Sequence, residues 1–175
     1  MKAYVVYVSL WGNTRAIAEA VAEGIGPGAQ AVPTDGLSAE ELAQADLLVA
    51  GAPVIAFSLA SDQARDNIAR SESGAPHPPD VEHPSMRAWL EKLPHAGARA
   101  AAFETRIWWS PRGATGDIEK RLRGAGYRVV ARAAKFVVEG KYGPLRDGEV
   151  ERARAWGRAL ATDGRPAQPT SGREA

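Results

Sequence analysis

Six consecutive residues near the N-terminus, Ser9-Leu10-Trp11-Gly12-Asn13-Thr14, offer the most direct chemistry in this sequence. Ser9 and Thr14 contribute hydroxyls and Asn13 an amide, around a glycine that lets the backbone approach a ligand closely. The loop follows an apolar run and leads straight into a helical pattern. An anion seated there meets backbone N–H groups and the positive end of a helix dipole, an arrangement suited to a phosphate. No lysine lies in the loop, and Arg15 is the only nearby cation. The dipole and the neutral donors must therefore carry the binding.

These residues need a frame to hold them. Residues 3–8 (AYVVYV) predict a strand buried on both faces, as in a parallel sheet. Asn13 is placed to cap a helix that runs through Gly24 with Ile17 and Val21 at helical spacing, stopped by Gly26-Pro27-Gly28. A short strand is expected over 29–33. A brief helix follows, opened by Ser38 with Glu41 completing a capping box. Residues 46–52 read as a second buried strand ended by Pro53, 85–93 as a helix, and 99–105 as the next strand. A helix over 117–124, a strand over 127–133 and a closing amphipathic helix over 149–161 complete the series, the last with Ala153, Trp156 and Leu160 on one face. Alternating strands and helices imply parallel pairing through right-handed crossovers, an α/β architecture. Residues 1–162 form one domain with a Pro/Gly-rich loop insertion near 71–84, and 163–175 read as a flexible C-terminal tail.

Composition removes several classes of function. With 22 basic and 21 acidic side chains the net charge is +1, which gives no electrostatic reason to expect nucleic acid. It also gives no sign of the acidic docking face that many electron carriers use. The absence of cysteine excludes disulfides, thiolate catalysis and cysteine-ligated clusters. The N-terminal apolar run is too short for a signal peptide and no stretch approaches membrane-spanning length, so a cytoplasmic protein without a membrane partner is expected. His77, His83 and His95 lack metal-ligand spacing, and the first two are expected to be solvated. The basic runs 121–123 and 152–158 are interleaved with acids and read as solvated helix faces. A receiver domain would need an aspartate where Ala52-Pro53 stand, and the glycine patterns of dinucleotide-binding, Walker and serine-hydrolase motifs are missing.

The spacing Ser-x-x-Gly-Asn-Thr after a buried strand resembles the FMN phosphate loop of the flavodoxin family, and the resemblance runs over residues 1–160. It includes the strand–helix order and a second Gly-x-Pro loop at Gly51-Ala52-Pro53. It implies a three-layer sandwich with a five-stranded parallel sheet in the order 2-1-3-4-5, and FMN as cofactor. The loops that enclose the flavin ring in that family map onto Pro53, Val54, Ile55, Ala56 and Phe57, and onto residues 105–114 with Thr105, Arg106, Trp108 and Trp109. Aromatic side chains there stack on the ring and exclude water. Two features differ from the family pattern. Trp11 stands where a hydroxyl residue is usual, and Pro53 is followed by apolar residues where a polar follow-on is usual.

The resemblance implies one- or two-electron transfer through FMN, to a redox partner protein or a small-molecule acceptor. The flavin does the chemistry, so no catalytic side chain and no metal is expected. Two other readings stay open. One is an FMN-dependent NAD(P)H:quinone-type reductase. The other is a flavin-free module that uses the same crevice, or its tryptophans, to bind a partner. Adjacent residues point in different directions, so at least one of Trp108 and Trp109 faces solvent or a ligand. The sequence does not choose between monomer and dimer.

Overall fold

The computed structural model describes residues 1–162, and the tail expected at 163–175 lies outside them. The chain begins with β1 (Ala3–Tyr7), α1 (Asn13–Ile25), β2 (Ala29–Pro33) and α2 (Ala39–Ala43). It continues with β3 (Leu47–Ile55), β4 (Ser58–Leu59), α3 (Asp62–Ser71) and α4 (Met86–Glu91). β5 (Arg99–Ile107), α5 (Thr115–Gly124), β6 (Arg128–Val129), β7 (Ala134–Val138) and α6 (Glu149–Thr162) complete it.

The sheet runs β2-β1-β3-β5-β6, with β7 also on the outer edge of β5. Taking β6 and β7 together as one position, this is the expected order, and helices cover both faces. Alternation along each strand builds the two cores. Ala3 and Val5 of β1, with Leu47, Val49 and Phe103, face α1 and α6. Tyr4 and Val6, with Leu48, Ala50 and Ala102, face α4 and α5. Helices α1 and α6 approach so closely that a Cβ on Gly24 would lie 2.1 Å from the Arg154 carbonyl oxygen, and one on Gly157 2.3 Å from that of Val21.

Three features differ from the sequence expectation. First, β3 does not stop at Pro53 but continues to Ile55 and returns as the antiparallel β4, pairing Val54 with Leu59 and Ile55 with Ser58. β1 ends opposite Gly51, so the outer part of β3 is an edge on that side, where proline is tolerated. The sheet thus holds seven strands rather than five, one of them antiparallel. Second, the single strand expected at 127–133 is two short pieces. β6 pairs with Arg99 and Ala100, and β7 with Phe103 through Ile107. The chain from Val129 to Ala134 is longer than the Ala100-to-Phe103 stretch it opposes, so it bulges out of the ladder. Third, α3 has no apolar stripe to announce it. Ser61 starts it by accepting a hydrogen bond from the Ala64 N–H at 3.2 Å. The capping box of Ser38 and Glu41 forms as expected.

The start of α1 also departs from expectation. Asn13 is already helical, and Gly12 holds the cap position in the left-handed region at φ 93° with no side chain capping the turn. The Asn13 amide is used elsewhere, with consequences for the site.

Candidate functional site

The C-terminal ends of β1, β3 and β5 open onto one cavity of about 460 Å³. Loops at the carboxyl ends of parallel strands are where open α/β sheets hold ligands. Ser9, Leu10, Trp11, Asn13 and Thr14 line it from the first loop, and Pro53, Val54, Ile55 and Ala56 from the β3–β4 hairpin. Thr105, Arg106 and Trp109 line it from the end of β5. Thr14 and Thr105 fasten two of these walls together through a buried hydroxyl–hydroxyl bond of 2.7 Å.

Three candidate residues lie elsewhere. Gly12 donates its N–H to Ser9 Oγ at 3.1 Å and borders a smaller cavity on the other side of the loop. Phe57 sits in the two-residue turn of the hairpin, where it and Ala56 both have positive φ (63° and 46°), as tight hairpin loops of this length require. That turn brings the Phe57 ring edge-on to Trp109 with centroids 5.8 Å apart. Trp108 is 68% exposed and lines neither cavity, whereas Trp109, at 55%, borders the main one.

Other lining residues were not foreseen. Ile68 comes from α3, and Val138, Glu139, Gly140 and Lys141 from β7 and the loop after it. Nothing local in the sequence shows that the segment after β7 folds against the first loop. Asn13 Nδ2 donates to the Tyr142 carbonyl at 2.9 Å, and the Trp11 and Tyr142 rings meet edge-on at 4.9 Å. Gly143, at φ 106°, leaves no room for a side chain: a Cβ would lie 2.6 Å from Asn13 Oδ1. The loop is held from its far side by Glu72, just past α3. Glu72 accepts from the Tyr142 hydroxyl and pairs with Lys141 Nζ at 2.5 Å. Hydrogen bonds from Lys141 and then Tyr142 hold the Glu72 carboxyl below the usual carboxylate range. The same bonds to Glu72 raise the Lys141 and Tyr142 values.

Charge around the cavity is already matched. Arg106 pairs with Glu104 at 2.9 Å, Lys141 with Glu72, and Glu139 with Arg146 at 2.7 Å. Glu104 is completely buried and also accepts the Ala114 and Thr115 N–H groups at 2.7 and 2.9 Å, capping α5 from the neighbouring strand. The donors left for an anion are the first N–H groups of α1, whose opening turn carries no acidic residue and no side-chain cap. The Trp11 indole Nε1 is a further donor, buried without a partner.

Among the described residues no group of three or more His, Asp or Glu side chains could hold a metal ion, and no helix is long and apolar enough to cross a membrane. His77 is exposed as expected, but His83 is only half solvated, with Nδ1 2.7 Å from Asp35 Oδ1.

The flavodoxin family profile matches residues 5–156. The chain belongs to the flavodoxin family. No curated protein matches it by sequence. Among solved structures, a flavodoxin from the domain Archaea is 21% identical with a TM-score of 0.64, covering 92% of this chain and 96% of that one. Flavodoxin 1 from Bacillus cereus is 20% identical with a TM-score of 0.63, covering 95% and 100%. A flavodoxin, WrbA-like protein from Agrobacterium tumefaciens is 20% identical with a TM-score of 0.60, covering 91% and 94%. At these identities the likeness concerns the fold, and it extends over nearly the whole of this flavodoxin-family chain.

Proposed function

We propose that the chain binds FMN in the 460 Å³ cavity and passes electrons between the flavin and a redox partner protein or small acceptor. The observation that carries this reading is the uncapped start of α1 opening into a cavity walled by the ends of β3 and β5. The residues present fit the cofactor. The Asn13, Thr14 and Arg15 backbone N–H groups would hold its phosphate without a paired cation, since the two cations on the cavity wall are occupied by Glu104 and Glu72. Val54, Ile55 and Trp109 offer apolar and aromatic surface for the ring and exclude water from it. When bound, the flavin supplies the one- and two-electron chemistry, and the protein supplies position and surroundings. No side chain in the cavity needs to move a proton.

The test is direct. Purified protein incubated with FMN and desalted should stay yellow, and FMN should bind more tightly than riboflavin, which lacks the phosphate. Protein that remains colourless would overturn the reading in favour of a flavin-free module. Replacing Trp11 by Thr should hold or raise FMN affinity if the loop needs only hydroxyl donors. A fall shows that the indole N–H itself contacts the cofactor. A carrier oxidises neither NADH nor NADPH with a quinone present unless a reductase is added. Turnover without one assigns the quinone-type reductase role instead.

A further inference from the structure

A second cavity, of about 250 Å³, lies on the other side of the first loop from the β3 and β5 walls. It is closed by the segment between α3 and α4, which is fastened to the loop where the Asp80 N–H donates to the Leu10 carbonyl at 2.9 Å. Gly12 and Arg15 border it from the start of α1, Arg65 from α3, and His77, Asp80 and His83 from the covering segment.

Arg65 is the unexpected member. It is only 3% exposed, and a buried guanidinium is costly unless its donors are used. Nη1 donates to the His83 carbonyl at 2.7 Å, and the nearest carboxylate oxygen, on Asp62, is 3.7 Å away. Its Nε is buried and has no partner. A planar fork of donors left partly unsatisfied at the wall of a cavity is matched by an oxyanion, whose several oxygens accept in parallel. Arg65 and Arg15 border the cavity with one carboxylate, Asp80, whose Oδ1 accepts the Glu82 N–H at 3.2 Å, and the Arg15 guanidinium is itself paired with Glu19 at 2.8 Å.

We propose that this cavity is a second oxyanion site, distinct from the flavin cavity, that takes a phosphate group, either free or at the end of a small ester. It does not depend on the flavin reading, since Arg65, His77, Asp80 and His83 do not border the larger cavity.

Titration of the whole protein with inorganic phosphate at fixed ionic strength, read by calorimetry and by phosphorus NMR, tests this before and after saturation with FMN. Saturable binding is expected in both states. Arg65→Lys keeps the charge but not the fork, and should weaken binding about tenfold. Arg15→Gln alters a side chain on the surface and should weaken it about threefold without affecting folding. Glycerol phosphate binding more tightly than inorganic phosphate assigns the ester as the ligand form, and the reverse assigns the free ion. Phosphate binding that FMN abolishes would overturn the proposal, because the cavity would then be the seat of the flavin's own phosphate. Absence of saturation, or equal binding by wild type and both variants, would overturn it as well. If FMN does not bind at all, the phosphate titration of the protein as purified still decides the question.

Discussion

Asn13 reaches from the first turn of α1 to the Tyr142 carbonyl, 2.9 Å from Nδ2, joining two loops 129 positions apart in the chain. Where sequence alone suggests a helix cap, the side chain acts as a clasp instead, and Gly12 in the left-handed region makes that substitution of roles workable. The clasp sets one wall of the cavity, because Gly140 and Lys141 line it beside Asn13.

Gly143→Ala is expected to break the clasp. The added methyl would fall 2.6 Å from Asn13 Oδ1, on backbone at φ 106° that disfavours any side chain. A loss of about 1–3 kcal/mol in stability should follow. It should appear in the urea midpoint, together with weaker FMN binding in a fluorescence titration.

The two adjacent tryptophans should separate cleanly. Trp109 borders the cavity and meets Phe57 edge-on, whereas Trp108 is 68% exposed and borders nothing there. Trp109→Ala should weaken FMN binding by roughly tenfold, the size of one aromatic contact of about 1–1.5 kcal/mol. Trp108→Ala should leave it within about twofold, since it removes no such contact. Equal effects would show that the ring lies between the two indoles.

Acid should loosen the wall formed by Glu72. Its folded pKa is lowered, first by the hydrogen bond from Lys141 and then by that from Tyr142. A depressed carboxylate contributes stability that is fully present above its unfolded pKa and is lost as pH falls through the lowered folded value. The loss therefore begins at the ordinary carboxylate value and runs downward from it. Unfolding measured from neutral pH downward should show a steeper decline for wild type than for Glu72→Gln, which lacks the titrating group.

Glu104 carries more than its pairing with Arg106 suggests. Removing its charge leaves Arg106 without its partner and weakens the cap on Ala114 and Thr115. Glu104→Gln should lower stability by about 3–5 kcal/mol, the usual range for removing one partner of a buried, hydrogen-bonded ion pair. Thermal and urea unfolding measure it, and near-ultraviolet circular dichroism shows whether α5 and its loop keep their packing.

Ala56 offers a change in the opposite direction. Its positive φ strains a side-chain-bearing residue, and Ala56→Gly should relieve that strain. The gain in stability should reach about 1 kcal/mol, reduced by the extra freedom of glycine in the unfolded chain. A lower melting temperature would show that the hairpin turn is not strained at this position.

The buried strands at residues 3–8, 46–52 and 99–105, and the phosphate-type loop after the first, are legible in the sequence because each is a local pattern. A run of β-branched and apolar residues has to be buried whatever surrounds it, and a loop between a strand and a helix exposes the same N–H groups in any context. The family resemblance rests on that loop. Other features depend on partners far away in the chain. β6 and β7 are separate only because β5 opposes them with a shorter stretch, and α3 is defined by Ser61 rather than by an apolar face. The role of Asn13 turned on the arrival of Tyr142, and the burial of Arg65 on the segment carrying His83. Ser9 to Thr14 thus pointed to the loop proposed here to bind an anion. Only the folded chain decided that the loop has a cavity on each side, because side chains from α3, from the segment after it and from the turn after β7 reach it by long-range packing that leaves no local periodicity.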